Sequence, residues 1–553
     1  MQLFTKTILT KKGQAIIKNP LDKTKFRYYN RKAHLKIGFC LKNINFLSVA
    51  NLTKVYTEDV IMDKKCGIIM PISALPSKYG IGSLGKSAKS FVDFLKKSGH
   101  SYWQILPLVQ TGYGDSPYQS CADRSGNPYF IDLETLRSEK LLTFREVETA
   151  IEKGDKIDYG KLYQDRYPLL RKAFSRFDTK DEDFQRFLKK GEFTDYATFM
   201  ALKSVYPECW VEWPDEYKLS DPQALKKFRM KHRSEYLFWQ FLQFKFWNQW
   251  KEIKKYANSK GIKIVGDLPL YVSYDSVDVW KNPYNFLVDE SLRPTFIAGV
   301  PPDYFSKTGQ LWGNPVYNYE KMRKDGYSWW LDRIANAQRI FDVVRVDHFR
   351  GLDRFWSIPV SEKTAVNGEW VKADGKEIFE KVTNRKIIAE DLGTLDEGVY
   401  NLIDQTGFAS MKVVLFAFGD GKENPYLPWN INENSVCYTG THDNETVMGY
   451  LKGLTKKEFN ALKKEIQVCL DYLKIYKRLS GVEAVANALV EIAYASNSNL
   501  TMIPIQDVLL LDNNYRMNWP GKTGYWTVRI KESVFTETLA KILNMRAKSY
   551  NRN

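Results

Sequence analysis

Eight short apolar runs, each bounded by turn-forming residues and separated from the next by helical pattern, constrain this chain more than any other feature. They are Gly67–Met70 (GIIM), Tyr102–Leu108 (YWQILPL), Lys263–Leu268 (KIVGDL), Val343–Phe349 (VVRVDHF), Lys386–Leu392 (KIIAEDL), Met411–Phe418 (MKVVLFAF), Val436–His442 (VCYTGTH) and Leu500–Ile505 (LTMIPI). Runs of this length and continuity read as strands buried on both faces of a parallel sheet. Helical segments such as Ala88–Lys97 and Trp329–Arg339 lie between them, and eight strands in such alternation predict an α/β fold, the (β/α)8 TIM barrel. The stretch between the second and third strands is far longer than one crossover helix requires, so a mainly helical subdomain is expected there, over about residues 135–225. The aromatic stripe of Tyr236–Lys255 could stack on sugars, but rings at helical spacing fit barrel packing better. The stretch after Ile505 is too short for a C-terminal β-domain, and none is expected.

The 553 residues carry a net charge of +17, which would suit a nucleic-acid partner if the cations were clustered on the folded body. They are not. The first 61 residues hold twelve Lys and Arg against three acids, so they account for nine of the seventeen net charges, and no basic run with interleaved aromatics occurs beyond Lys64. No nucleic acid is expected. Nor is a membrane, because no apolar stretch approaches the ~20 residues of a spanning helix. Residues 1–61 lack the apolar centre of a secretory signal. They read either as a transit-like extension or, preferably, as a gene-start artefact ahead of Met62, leaving 62–553 as the catalytic unit. Six scattered cysteines without a CxxC, and five histidines without HExxH, imply reduced thiols, no metal site and no cofactor.

Barrel enzymes work at the C-terminal ends of their strands. Here the third run ends at Asp267; the fourth carries Arg345, Asp347 and His348; the fifth ends at Glu390 and Asp391, and the seventh runs into His442 and Asp443. Singly, each could be a helix cap or half of an ion pair. Together they place several carboxylates, an arginine and two histidines at one barrel mouth without a metal motif, which is the equipment for glycosyl transfer. Glu390 and Asp391 are neighbours, so a regular strand sends them to opposite faces. Arg345 shares the Asp347 face, where its charge should keep that carboxylate ionised.

The segments SALPSKYGIGSLG (73–85), GDSPYQS (114–120), GDLPLYV (266–272), PPDYFSKTGQLWGNPVYNY (301–319), VRVDHFRG (344–351), IIAEDLG (387–393) and TGTHDN (439–444) resemble, in order, the motif set of amylomaltases. These are the 4-alpha-glucanotransferases, or disproportionating enzymes, of glycoside hydrolase family 77. The resemblance implies that Asp347 is the nucleophile, Glu390 the acid/base and Asp443 the third carboxylate, which steadies the strained sugar. Tyr118 would stack on that sugar, while Asp267, Arg345, His348 and His442 would contact it; a satisfied core histidine stays open for His348. The stretch Gly299–Asn314 is expected to be a loop over the acceptor site, in which Tyr304, Phe305, Gln310, Trp312 and Asn314 meet sugar and shield the intermediate from water. The implied carboxyl separation between Asp347 and Glu390 is about 5–5.5 Å, as retaining enzymes require. Implied partners are malto-oligosaccharides and α-1,4-glucans derived from starch or glycogen, with glucose as acceptor. The enzyme should be a cytoplasmic monomer or homodimer, or plastid-located if residues 1–61 are a transit peptide. The rivals are a hydrolase or branching enzyme of the alpha-amylase class and an inactive glucan-binding scaffold; the motif spellings disfavour the first, and the presence of all three carboxylates the second.

Overall fold

The computed structural model describes residues 64–112, 114–302, 306–393 and 395–553. The expectations for residues 1–61, and for Tyr304 and Phe305, therefore fall outside the described residues. Twelve strands appear among these residues: β1 (Lys65–Ile69), β2 (Tyr102–Gln104), β3 (Lys263–Leu268), β4 (Phe296–Val300), β5 (Gln310–Pro315), β6 (Val343–Val346), β7 (Arg354–Pro359), β8 (Glu369–Lys372), β9 (Ile387–Ala389), β10 (Ala409–Val413), β11 (Ser435–Tyr438) and β12 (Leu500–Pro504). Eight of them close a parallel barrel in the order β1-β2-β3-β6-β9-β10-β11-β12, with β12 returning to β1. These are the eight apolar runs of the sequence. Several runs extend past the hydrogen-bonded strand, β9 for example ending at Ala389 rather than Leu392, because the residues just beyond the ladder form the walls of the barrel mouth.

Each barrel strand alternates between an inward and an outward residue. The inward set includes Val265 on β3, Val343 on β6, Ile388 on β9, Met411 and Val413 on β10, Val436 and Tyr438 on β11, and Leu500 and Met502 on β12, all packed together. Two residues further along, the same inward positions become charged: Asp267 follows Val265, Arg345 and Asp347 follow Val343, and Glu390 follows Ile388. The register pairs Asp267 directly with Arg345 on the neighbouring strand. An apolar plug thus carries a charged layer at its C-terminal end.

Between β2 and β3 the chain forms a succession of helices, the longest of them Tyr159–Arg176, Glu182–Lys190, Thr194–Lys203 and Pro222–Lys231. Helix Arg233–Ser259 then leads into β3; its Phe238, Phe241 and Phe246 are wholly buried, and its Gln243 and Gln249 side chains bond the Gly126 and Asp132 backbone. Its aromatic stripe is core, not a sugar platform. Strands β5, β4, β7 and β8 form a separate antiparallel sheet, in that order. This corrects the reading of Gly299–Asn314 as a loop: both its ends are strand, with Gln310, Trp312 and Asn314 on β5. Alternation on β5 is weak because Gly313 and Asn314 interrupt it. Helices Val447–Gly453, Lys456–Tyr472 and Val482–Ala495 separate β11 from β12, and among the described residues no strand comes after β12. No helix among them is long and apolar enough to cross a membrane.

The β1–β12 seam is fastened by Arg552. Its buried guanidinium donates to the carbonyls of Tyr494 (2.6 Å), Ser496 (2.7 Å), Ser498 (2.8 Å) and Lys65 (3.2 Å).

Candidate active site

A cavity of about 1480 Å³ opens over the C-terminal ends of the barrel strands. Asp347, Glu390 and Asp443 all line it, as do Tyr118, Arg345, His348, His442, Gln310, Trp312 and Asn314. Segments far apart in sequence converge here because each lies at or beyond the C-terminal end of a barrel strand or belongs to the sheet packed beside the mouth.

Asp267 lies elsewhere. Its side chain is fully enclosed beneath the cavity, where both oxygens accept from Arg345 Nη1 at 2.7 Å and one accepts from the Tyr118 hydroxyl at 2.6 Å. The expectation that it touches sugar is corrected: the register places it one layer down, where it holds Arg345 and Tyr118. Arg345 also reaches Asp347, at 3.0 Å. Burial nevertheless dominates at Asp347. Removal from water raises its carboxyl to about 6, against the pull of Arg345, while Asp267 pushes in the same direction as burial. The arginine does not hold this group in the ordinary carboxylate range, because its charge is shared with Asp267; at neutral pH Asp347 is still mostly ionised.

Glu390 lies one residue past the β9 ladder. Its carboxylate accepts from the His348 amide at 2.6 Å and the Leu392 amide at 3.2 Å. Burial, opposed by Arg345 and reinforced by the charge of Asp347, raises its proton affinity well above the usual glutamate range. Its neighbour Asp391 faces the other way, accepting from the Met411 amide at 2.6 Å with Lys412 nearby at 3.8 Å, and takes no part in the cavity wall.

Asp443 experiences the opposite field. Burial would raise its carboxyl, but His442, 3.2 Å away, and the Asn518 amide, donating at 2.5 Å, hold it well below the normal range. The Tyr118 ring stacks on His442 at 5.2 Å and 14°, with Trp526 tilted against both. His348 adopts a left-handed backbone (φ 46°), and burial lowers its imidazole to about 3, so the ring is neutral. The edge-to-face contact with Trp312 at 4.8 Å orients it, and its Nε2 has no protein partner. The open alternative of a hydrogen-bonded core histidine is thereby closed for that atom.

Several walls were not foreseen. Asn518 and Trp526 come from the segment after β12, and Tyr271, Phe416 and Tyr426 complete the aromatic lining. Only the contact between residues 75 positions apart reveals Asn518 as a partner of Asp443. No group of three or more His, Cys, Asp or Glu among the described residues could hold a metal ion.

A closed parallel barrel with three partly exposed carboxylates lining one groove at its mouth defines a glycoside-processing barrel enzyme. A family model described as 4-alpha-glucanotransferase matches residues 70–535. The chain belongs to the 4-alpha-glucanotransferase family, and its activity is that of a glycosyl-transferring enzyme of this type. It is 42% identical over 495 residues to a 4-alpha-glucanotransferase of Clostridium butyricum, covering 87% of this chain and all of that one. It is 38% identical to the chloroplastic/amyloplastic 4-alpha-glucanotransferase of Solanum tuberosum, covering 86% of this chain and 84% of that one. An amylomaltase from Streptococcus agalactiae, solved in complex with acarbose, superposes with a TM-score of 0.84 at 36% identity, covering 89% of this chain and all of that one.

Proposed function

We propose that the enzyme transfers α-1,4-glucan segments by a double displacement in which Asp347 is the nucleophile, Glu390 the acid/base and Asp443 the stabiliser of the distorted sugar. The observation that carries this reading is the divergence of three carboxyl groups in one cavity: Glu390 driven toward its protonated form, Asp443 held ionised, and Asp347 between them. In the first step Glu390 gives its proton to the glycosidic oxygen as the Asp347 carboxylate bonds to C1. The bond from C1 to the leaving sugar breaks with inversion. Glu390, now a carboxylate, takes the proton from the 4-hydroxyl of an acceptor glucan or glucose; that oxygen displaces Asp347, and a second inversion restores the α configuration.

Malto-oligosaccharides and the α-glucans of starch or glycogen are the donors in this reading. Three features support it: the Tyr118 and His442 stack beside Asp443, the unpartnered His348 Nε2, and the Trp312 ring at the cavity wall. The residues between β4 and β5 include Tyr304 and Phe305, which we assign to shielding the intermediate from water. We place the enzyme in the cytoplasm; the plastid relative supplies the second reading, which mass spectrometry of the native N-terminus decides.

The test is incubation with maltotriose while monitoring both product lengths and total reducing ends. A ladder of longer and shorter oligosaccharides with free glucose and constant reducing ends is expected. Rising reducing ends would assign the site to hydrolysis, and an active Asp347→Ala variant would overturn the nucleophile.

A further inference from the structure

We infer that Arg516 is a positioning residue that locks the segment after β12 onto the backbone of Asp443, and so keeps the Asp443 carboxylate aimed at the sugar. The inference rests on the role proposed above for Asp443. Asp443 sits in the turn after β11, not in its ladder, so no strand hydrogen bonds fix its peptide. Its amide donates to the Thr441 hydroxyl at 3.2 Å, and Arg516 holds its carbonyl. The Arg516 Nη2 donates to the Asp443 carbonyl at 2.8 Å and its Nε to the Asn518 carbonyl at 2.7 Å. Asn518 in turn donates its backbone amide to the His442 carbonyl at 3.1 Å and its side-chain amide to the Asp443 carboxylate. One guanidinium therefore ties together the two segments that hold that carboxylate.

The planar fork of arginine matters, because two carbonyls on different segments are bridged by nitrogens in fixed relation; a lysine can satisfy only one of them in that geometry. The Arg516 guanidinium also lies over the Trp519 ring at 4.2 Å, with the Lys522 ammonium over the same ring at 3.8 Å. Pro520, Gly521, Lys522 and Thr523 continue from there along the cavity wall. The same arginine that holds the Asp443 carbonyl thus also braces this stretch of the cavity wall. Burial works against its charge, while the acidic neighbours Glu445 and Asp443 favour it. Arg516 does not line the cavity, so it acts through Asp443 and not on substrate.

The experiment is a double-mutant cycle on binding, read by titration calorimetry with acarbose and accompanied by steady-state kinetics on maltotriose, using native enzyme, Arg516→Ala, Asp443→Asn and the double variant. Arg516→Lys serves as a conservative variant for which folding is checked by thermal unfolding. Arg516→Ala is expected to weaken acarbose binding about 100-fold, the scale of an ångström-sized misplacement of a working group, with maltotriose KM changed about threefold or less and kcat lowered. Arg516→Lys should recover only part of this. In the Asp443→Asn background the added effect of Arg516→Ala should fall to about twofold or less, because there is no carboxylate left to aim. If Asp443→Asn weakens acarbose while Arg516→Ala and Arg516→Lys do not, or if the two losses simply multiply, the positioning role is refuted. If Asp443→Asn leaves acarbose binding unchanged, the role of Asp443 itself fails.

Discussion

Replacing Asp267 by Asn isolates the buried charge that sits beneath Asp347, the proposed nucleophile. Asp267 and Asp347 both contact Arg345 Nη1, at 2.7 and 3.0 Å, so their bonded oxygens are at most about 6 Å apart. At that distance and an effective dielectric of about 20, two like charges repel by about 3 kcal/mol, equivalent to about two pH units. Asparagine keeps the shape and still accepts the Tyr118 hydroxyl bond. With the Asp267 charge gone, all of Arg345 acts on Asp347, whose proton affinity must fall below its present value of about 6. In the proposed mechanism attack requires ionised Asp347, so the acid limb of kcat/KM is expected near pH 6 in the native enzyme and should move down by about one to two units in the variant. The assay is glucose release from maltotriose from about pH 4 to pH 8, at a temperature where unfolding curves show the variant folded, since removing one partner of a buried ion pair costs about 3–5 kcal/mol. An acid limb that stays in place, or moves upward, refutes the electrostatic coupling of Asp267 to Asp347.

If Glu390 is the proposed acid/base, Glu390→Gln should lose about 10²–10⁴-fold in kcat, because the amide has no proton to give the leaving oxygen. The alkaline limb expected in the native enzyme from loss of the raised Glu390 proton should vanish from the residual pH profile. Replacing Tyr304 and Phe305 by Ala should raise the ratio of hydrolysis to transfer, read as reducing ends per glucose released; an unchanged ratio removes them from water exclusion. Arg552→Ala orphans several buried carbonyls at the β1–β12 seam and should cost on the order of 3 kcal/mol, seen as a lower urea midpoint with kcat at low temperature unchanged.

The barrel was legible because burial on both faces leaves strands as uninterrupted apolar runs, and the charged layer because period two carries Val265 to Asp267 and Ile388 to Glu390 on one face. The same rule separated Glu390 from Asp391. Depth was not legible. Periodicity shows that Asp267 points inward but not how far below the cavity floor it sits, which depends on strand stagger around the barrel. Nor did it reveal that Arg345 divides its charge between two acids, so that burial sets the proton affinity of Asp347. The small antiparallel sheet escaped because Gly299, Gly309 and Gly313 read as loop chemistry, although a Cβ at Gly299 would lie 2.2 Å from the Gln310 carbonyl oxygen of the paired strand. Asn518, Trp526 and Arg516 meet the site only through tertiary proximity, for which this single sequence offered no local signal.

Closure of the barrel has a consequence for synthesis on the ribosome. Of the barrel strands β1 emerges first, yet its partner β12 is about four hundred and thirty residues downstream and Arg552 lies further still. Until that part of the chain has been made, one edge of β1 has no native neighbour. Any seven-stranded intermediate must therefore wait as an open sheet, so slowing translation late in the message should lengthen the period during which chaperones can bind, whereas slowing it early should not.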